Sequence, residues 1–87
     1  MKHYLKLNII FCDAVNNGEK TFEVRKNDRG FQKGDKIEFI PVDDFGKRKP
    51  HAIATKEYLI TYVLTGWGIE NEYCVLAIKE ISKGGGK

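Results

Sequence analysis

The run Tyr58-Leu59-Ile60-Thr61-Tyr62-Val63-Leu64-Thr65 constrains the fold more than any other part of the chain. It is dense in β-branched and aromatic residues, which suit a pleated strand. Successive strand side chains point to opposite faces, and here both faces hold apolar groups. A strand of that kind belongs in the middle of a sheet, so shorter strands must flank it. The chain has 87 residues, which predicts one domain with a core of modest size.

The flanking elements are legible in order. His3-Tyr4-Leu5-Lys6-Leu7 alternates, so a short strand runs over Tyr4–Leu7 with Leu5 and Leu7 inward. Asn8 is placed to cap a helix. Ile10 with Ala14, and Phe11 with Val15, sit four apart on helical faces. Asn16-Asn17-Gly18 stops that helix, Gly18 suiting a left-handed C-cap. Thr21–Arg25 reads as a strand and Lys26–Lys33 as a loop from which Phe31 returns to the core. Gly34-Asp35 is a turn signal. Lys36–Val42 is a strand with Ile37 and Phe39 on one face, and Pro41 marks an edge or a bulge. Asp43–Pro50 reads as a hairpin loop, His51–Thr55 as a weak strand, Gly66-Trp67-Gly68 as a turn and Tyr73–Ile81 as the last strand. No βαβ repeat appears, so a parallel sheet is not expected. Five or six short strands with one or two short helices predict a mainly β (α+β) chain folded as a small barrel over residues 1–81. A disordered glycine-rich tail is expected over residues 82–87.

Composition excludes several classes of function. No apolar run approaches the roughly 20 residues of a membrane helix, and Met1-Lys2-His3-Tyr4 lacks the apolar stretch of a signal peptide. A cytoplasmic chain without a membrane partner is expected. Cys12 and Cys74 fit no metal-ligand spacing and read as reduced core thiols. His3 and His51 stand alone and read as surface or hydrogen-bonded residues. No metal and no cofactor are expected, and neither a phosphate-cradling glycine loop nor a DNA-specific motif is present.

Function concentrates between Gly18 and Asp35. Between Lys20 and Lys36 the basic residues Lys20, Arg25, Lys26, Arg29, Lys33 and Lys36 meet only Glu23, Asp28 and Asp35, so that segment carries +3, as much as the whole chain. A localised basic patch marks an anionic partner. In its strand, Phe22 and Val24 point one way and Thr21, Glu23 and Arg25 the other. Lys26-Asn27-Asp28-Arg29 then follows as a polar loop. Arg25 and Arg29 present planar forks suited to phosphate or a base edge. Asn27 offers donors and acceptors. Asp28 either reads a polar edge, caps the loop or pairs with an arginine. Lys20 is a phosphate contact if exposed and a candidate base if partly buried. Lys20, Thr21, Glu23, Arg25, Lys26, Asn27, Asp28 and Arg29 are therefore the candidate binding residues. Trp67 either closes one end of the barrel or joins Tyr58 and Tyr62 as a stacking platform for unpaired bases. A protein-interaction surface built on Trp67 and Lys47-Arg48-Lys49 is a third possibility.

The order strand, short helix, Gly-x-Lys-Thr-Phe-Glu-Val-Arg, then Asn-Asp-Arg-x-Phe-x-x-Gly-Asp resembles the ASCH branch of the PUA-like superfamily. His3-Tyr4-Leu5-Lys6, Ile60 to Leu64 and Tyr73 to Leu76 extend the likeness from about His3 to Ile81, with Asp43 to Glu57 departing from it. The resemblance implies a PUA-like β-barrel with a basic cleft beside the first helix, and RNA or a nucleotide-derived ligand as partner. One ASCH branch removes the acetyl group from acetylated cytidine through a Lys-Thr-x-Thr-x-Arg segment and a distant glutamate; another cleaves RNA. Lys20, Thr21 and Arg25 match that segment, but Glu23 replaces the second threonine. The alternative expectation is thus a hydrolase of a modified nucleoside with Lys20 and Glu23 as the acid–base pair. Its distant glutamate would be one of Glu57, Glu70 and Glu72.

Overall fold

The two-faced strand lies where its composition places it. In the computed structural model, which describes residues 1–82, it forms β4 (Glu57–Leu64), between β3 (Lys36–Val42) and β5 (Tyr73–Ile81). β1 (Lys2–Asn8) and β2 (Phe22–Lys26) take the edges, giving the order β1-β3-β4-β5-β2. The five strands curl into a half-barrel with one helix, α1 (Ile9–Asn16), and a 3-10 turn (Ala52–Thr55). Apart from Ser82, the expected disordered tail lies outside the described residues.

Local rules account for most boundaries. Asn8 Oδ1 accepts from Ile10 N at 3.0 Å and caps α1. Gly18, at φ +86°, ends the helical segment and donates to Val15 O at 3.3 Å. Pro41 sits beyond the pairing of β3 with β4, which covers only Lys36 and Ile37, so its missing N–H removes no ladder bond there. Inward-facing Leu5, Ile37, Phe39, Ile60 and Leu76 form a fully buried core, and Ile53 of the 3-10 turn joins them. Cys12 and Cys74 are free and buried, and burial pushes both thiols up from their ordinary pKa.

Three expectations are corrected. β1 and β3 pair in parallel, Lys2 with Lys36 through Asn8 with Val42. Their crossover holds α1 and the opposite edge strand β2, so the unit occurs once and leaves no repeat to read. His51–Thr55 is not a strand: His51 Nδ1 accepts from Ile53 N at 3.0 Å and winds the segment into the 3-10 turn. The helix presents Cys12 and Val15 to the core, leaving Ile10 and Phe11 exposed.

The turn before β3 ties the two parallel strands together. Asp35 Oδ2 is hydrogen-bonded to the buried His3 ring at Nε2, 2.8 Å away, and accepts from Gln32 N at 3.1 Å. Its backbone carbonyl accepts from Ile60 N at 2.8 Å, anchoring β4 as well. Burial alone would raise the Asp35 pKa; His3, the Gln32 amide and the Met1 amino group outweigh it and lower the value below 3.8. A carboxylate lowered in the folded state contributes stability above its unfolded pKa and loses it as pH falls through the folded one. Asp35→Ala is expected to cost about 1–3 kcal/mol at neutral pH, because His3 is left buried without its partner. Urea unfolding measures this. The same variant should lose less stability than the parent as the pH falls below 3.8.

Candidate nucleic-acid interface

β2 is turned with its charges inward. It pairs only with β5, setting Glu23 opposite Leu76 and Arg25 opposite Cys74, both core residues. Phe22 and Val24 are 44% and 53% exposed, while Glu23 is 4% exposed. The edge of the half-barrel thus carries a carboxylate where an apolar side chain would ordinarily sit.

A buried carboxylate needs partners, and it has two cations. Lys20 lies before the strand, with its backbone N–H on Ala14 O at 2.9 Å. Its side chain turns back, so Nζ donates to Glu23 Oε1 at 3.1 Å and to Phe22 O at 2.9 Å. The ammonium lies 5.3 Å from the Phe11 ring centre and 4.8 Å from that of Phe22, a cation–π arrangement. Arg25 Nε donates to Glu23 Oε2 at 2.8 Å, and its Nη2 donates to Lys6 O. Among the described residues, these bonds leave one Lys20 proton and the Nη1 protons of Arg25 for another acceptor.

These groups border an open hollow of about 410 Å³ beside α1, which Lys6, Asn8, Phe11 and Lys26 also line. Four cationic side chains (Lys6, Lys20, Arg25 and Lys26) line it against one carboxylate. Burial, with the Asp13 and Glu23 charges beside it, raises the pKa of the Cys12 thiol and keeps it protonated.

Of the eight candidate residues, Lys20, Glu23 and Arg25 converge on the hollow, and Lys26 reaches its rim, 3.8 Å from Glu72. Thr21 borders a neighbouring hollow of about 450 Å³ with Asn16, Tyr58 and Glu80. Asn27 is turned away: its Oδ1 accepts from Phe31 N at 3.3 Å and holds the loop. Arg29 Nη1 donates to Tyr4 O at 3.0 Å. Among the described residues, Asp28 has no ion-pair partner. Of the alternatives read for Asp28, pairing with Arg25 or Arg29 is the one the structure does not have, since both arginines reach for β1. Glu57, Glu70 and Glu72 do not line the hollow. Glu57 is held by Lys2 at 2.8 Å, and that ion pair, with Glu38 beside it, raises the Lys2 pKa. Trp67 is 91% exposed at φ +53°, so it does not close the barrel. Lys6, Asn8 and Phe11 were not anticipated; the alternation of β1 could have pointed to Lys6, whose side chain opposes inward Leu5 and Leu7.

A family model described as a domain of unknown function (DUF3850) matches residues 2–78. No curated protein matches the chain.

Arg25→Ala should destabilise the fold by about 1–3 kcal/mol, since it leaves the Glu23 carboxylate and the Lys6 carbonyl short of a donor. Arg25→Lys keeps the charge but loses the fork, and should recover less than half of that loss in urea unfolding.

Proposed function

We propose that this chain, which belongs to the DUF3850 family, is a small RNA- or nucleotide-binding module whose ligand enters the hollow beside α1. The observation that carries this reading is the buried Glu23 carboxylate, gripped by Lys20 at 3.1 Å and Arg25 at 2.8 Å. Apolar residues of similar volume usually stabilise a site at least as well as a buried ion pair. The pair is better accounted for by recognition than by packing. Lys20, Glu23 and Arg25 present donor, acceptor and donor in that order. A partner edge of acceptor, donor and acceptor complements them, and a uracil ring carries one in its two carbonyls and the N–H between. The excess of cations around the hollow suits the adjoining phosphate. The likeness to ASCH domains supports this reading, since it implies a PUA-like β-barrel with a cleft beside the first helix.

A second reading draws on the 3.1 Å contact between Lys20 and Glu23. In a hydrolase of a modified nucleoside, Glu23 would take a proton from the attacking water and Lys20 would return one to the leaving nitrogen. The spare Arg25 protons would face the developing oxyanion.

Titration of labelled oligouridylate and oligocytidylate at two salt concentrations separates these readings. Binding should weaken with salt by about 0.7 in log K per log unit for each phosphate neutralised. Glu23→Ala should cost about 10-fold in affinity for the uridine oligomer and little for cytidine, in the range of one lost base-edge pair. Affinity indifferent to salt and to Arg25→Ala would contradict the binding reading. Turnover of acetylated cytidine, detected by chromatography and lost in Lys20→Ala, would establish the hydrolase instead.

A further inference from the structure

The hairpin after β3 ends in an aromatic residue that packs against nothing. Phe45 is 95% exposed, and the turn that carries it is tightly built. Asp43 Oδ1 accepts from both Phe45 N and Lys47 N at 2.9 Å, and Gly46 N closes the turn on Asp43 O at 3.0 Å. An antiparallel bridge between Val42 and Arg48 shuts its base. A phenyl ring held in water costs hydrophobic free energy, and a turn fixed by its own backbone does not need one at its tip. Cations follow it closely in the sequence. Lys47 and Arg48 are exposed and have no ion-pair partner among the described residues, while Lys49 lies 3.8 Å from Asp43.

The position of this turn identifies a partner. Asp44, next to Phe45, accepts from Asn8 Nδ2 at 2.8 Å. Asn8 caps α1 and forms part of the wall of the hollow. The turn that carries the aromatic tip is therefore fastened to a residue lining the site already assigned to a base. We infer that Phe45 is a stacking platform for the unpaired base next to the one in the hollow, with Lys47 and Arg48 on the phosphates that flank it. Every base has an apolar face, so an aromatic side chain receives it without regard to sequence, and flanking cations serve the backbone. An acidic peptide would use the cations but leave the phenyl ring without a role. The inference rests on the binding reading of the hollow and extends it from one nucleotide to a short single strand.

The test compares uridine monophosphate with an eight-residue oligouridylate, each titrated against the parent chain, Phe45→Ala, Lys47→Ala/Arg48→Ala and Glu23→Ala. Phe45 is exposed, so its replacement leaves the fold intact, which unfolding curves verify. Phe45→Ala should weaken the oligomer about 5- to 150-fold, the equivalent of one stacked base, and leave the monophosphate within twofold. The double variant should flatten the salt dependence of the oligomer by about 0.7 in slope for each phosphate that no longer meets a cation. If the oligomer binds, depends on Glu23 and ignores Phe45→Ala, the stacking inference is overturned and the reading of the hollow stands. If it depends on Phe45 but not on Glu23, the hollow reading falls and the platform stands alone. An oligomer that does not bind, or a poly-glutamate peptide that binds through Lys47 and Arg48 with equal strength, overturns the inference.

Discussion

A sheet of five strands that curls without closing has two edges to satisfy, and the structure around the hollow follows from how it does so. An exposed edge is a row of unpaired donors and acceptors. Here the edges belong to β1 and β2, and arginines rather than a strand ladder join them. Arg25 and Arg29 donate to the carbonyls of Lys6 and Tyr4, two residues apart on β1 and therefore on the same side of it. Side-chain bridges are longer than ladder bonds. They hold the edges together while keeping them apart, and the gap that remains is the hollow. Its shape and its positive lining have one origin.

Glu23 is the counterpart of that arrangement. Arginine forks drawn inward at a sheet edge favour an anion on the same face, and the alternation of β2 places Glu23 two residues from Arg25, on the same side. Lys20 completes the neutralisation from outside the strand. Phe11 and Phe22 stay partly exposed for a reason other than core packing: both rings lie against the Lys20 ammonium. The polar interior and the apolar exterior of β2 are two results of turning one strand over.

Much of this was legible before the structure. β3 and β5 span the residues read from alternation, Asn8 caps the helix and Lys20, Glu23 and Arg25 meet in one place. The misreadings have physical causes. The direction of β2 is open in the sequence rather than misread: alternation fixes which side chains share a face but not which face is inward, and that depends on an edge whose partner is a set of carbonyls. Backbone acceptors carry no sequence signal, which hides the role of Arg29. The parallel pairing of β1 and β3 depends on contacts spread across a long crossover, and the 3-10 turn at Ala52–Thr55 depends on a histidine cap that resembles an ordinary strand residue. Trp67 is held out by three consecutive left-handed residues, Gly66, Trp67 and Gly68. Composition alone does not distinguish that turn from one folded inward.

The parallel pair also has a kinetic meaning. Lys2 and Lys36 are register partners 34 positions apart, and every other pair in that ladder has the same separation. The hairpin of β4 and β5, by contrast, closes through a short connection. Distant pairings wait on the slow search of a long loop, whereas adjacent ones form early. Assembly should therefore begin in the β4–β5 half, with β1 added late. The pocket, which needs β1 as one of its walls, then exists only in the finished molecule. A chain arrested before that last step would display its cations without the cleft that gathers them.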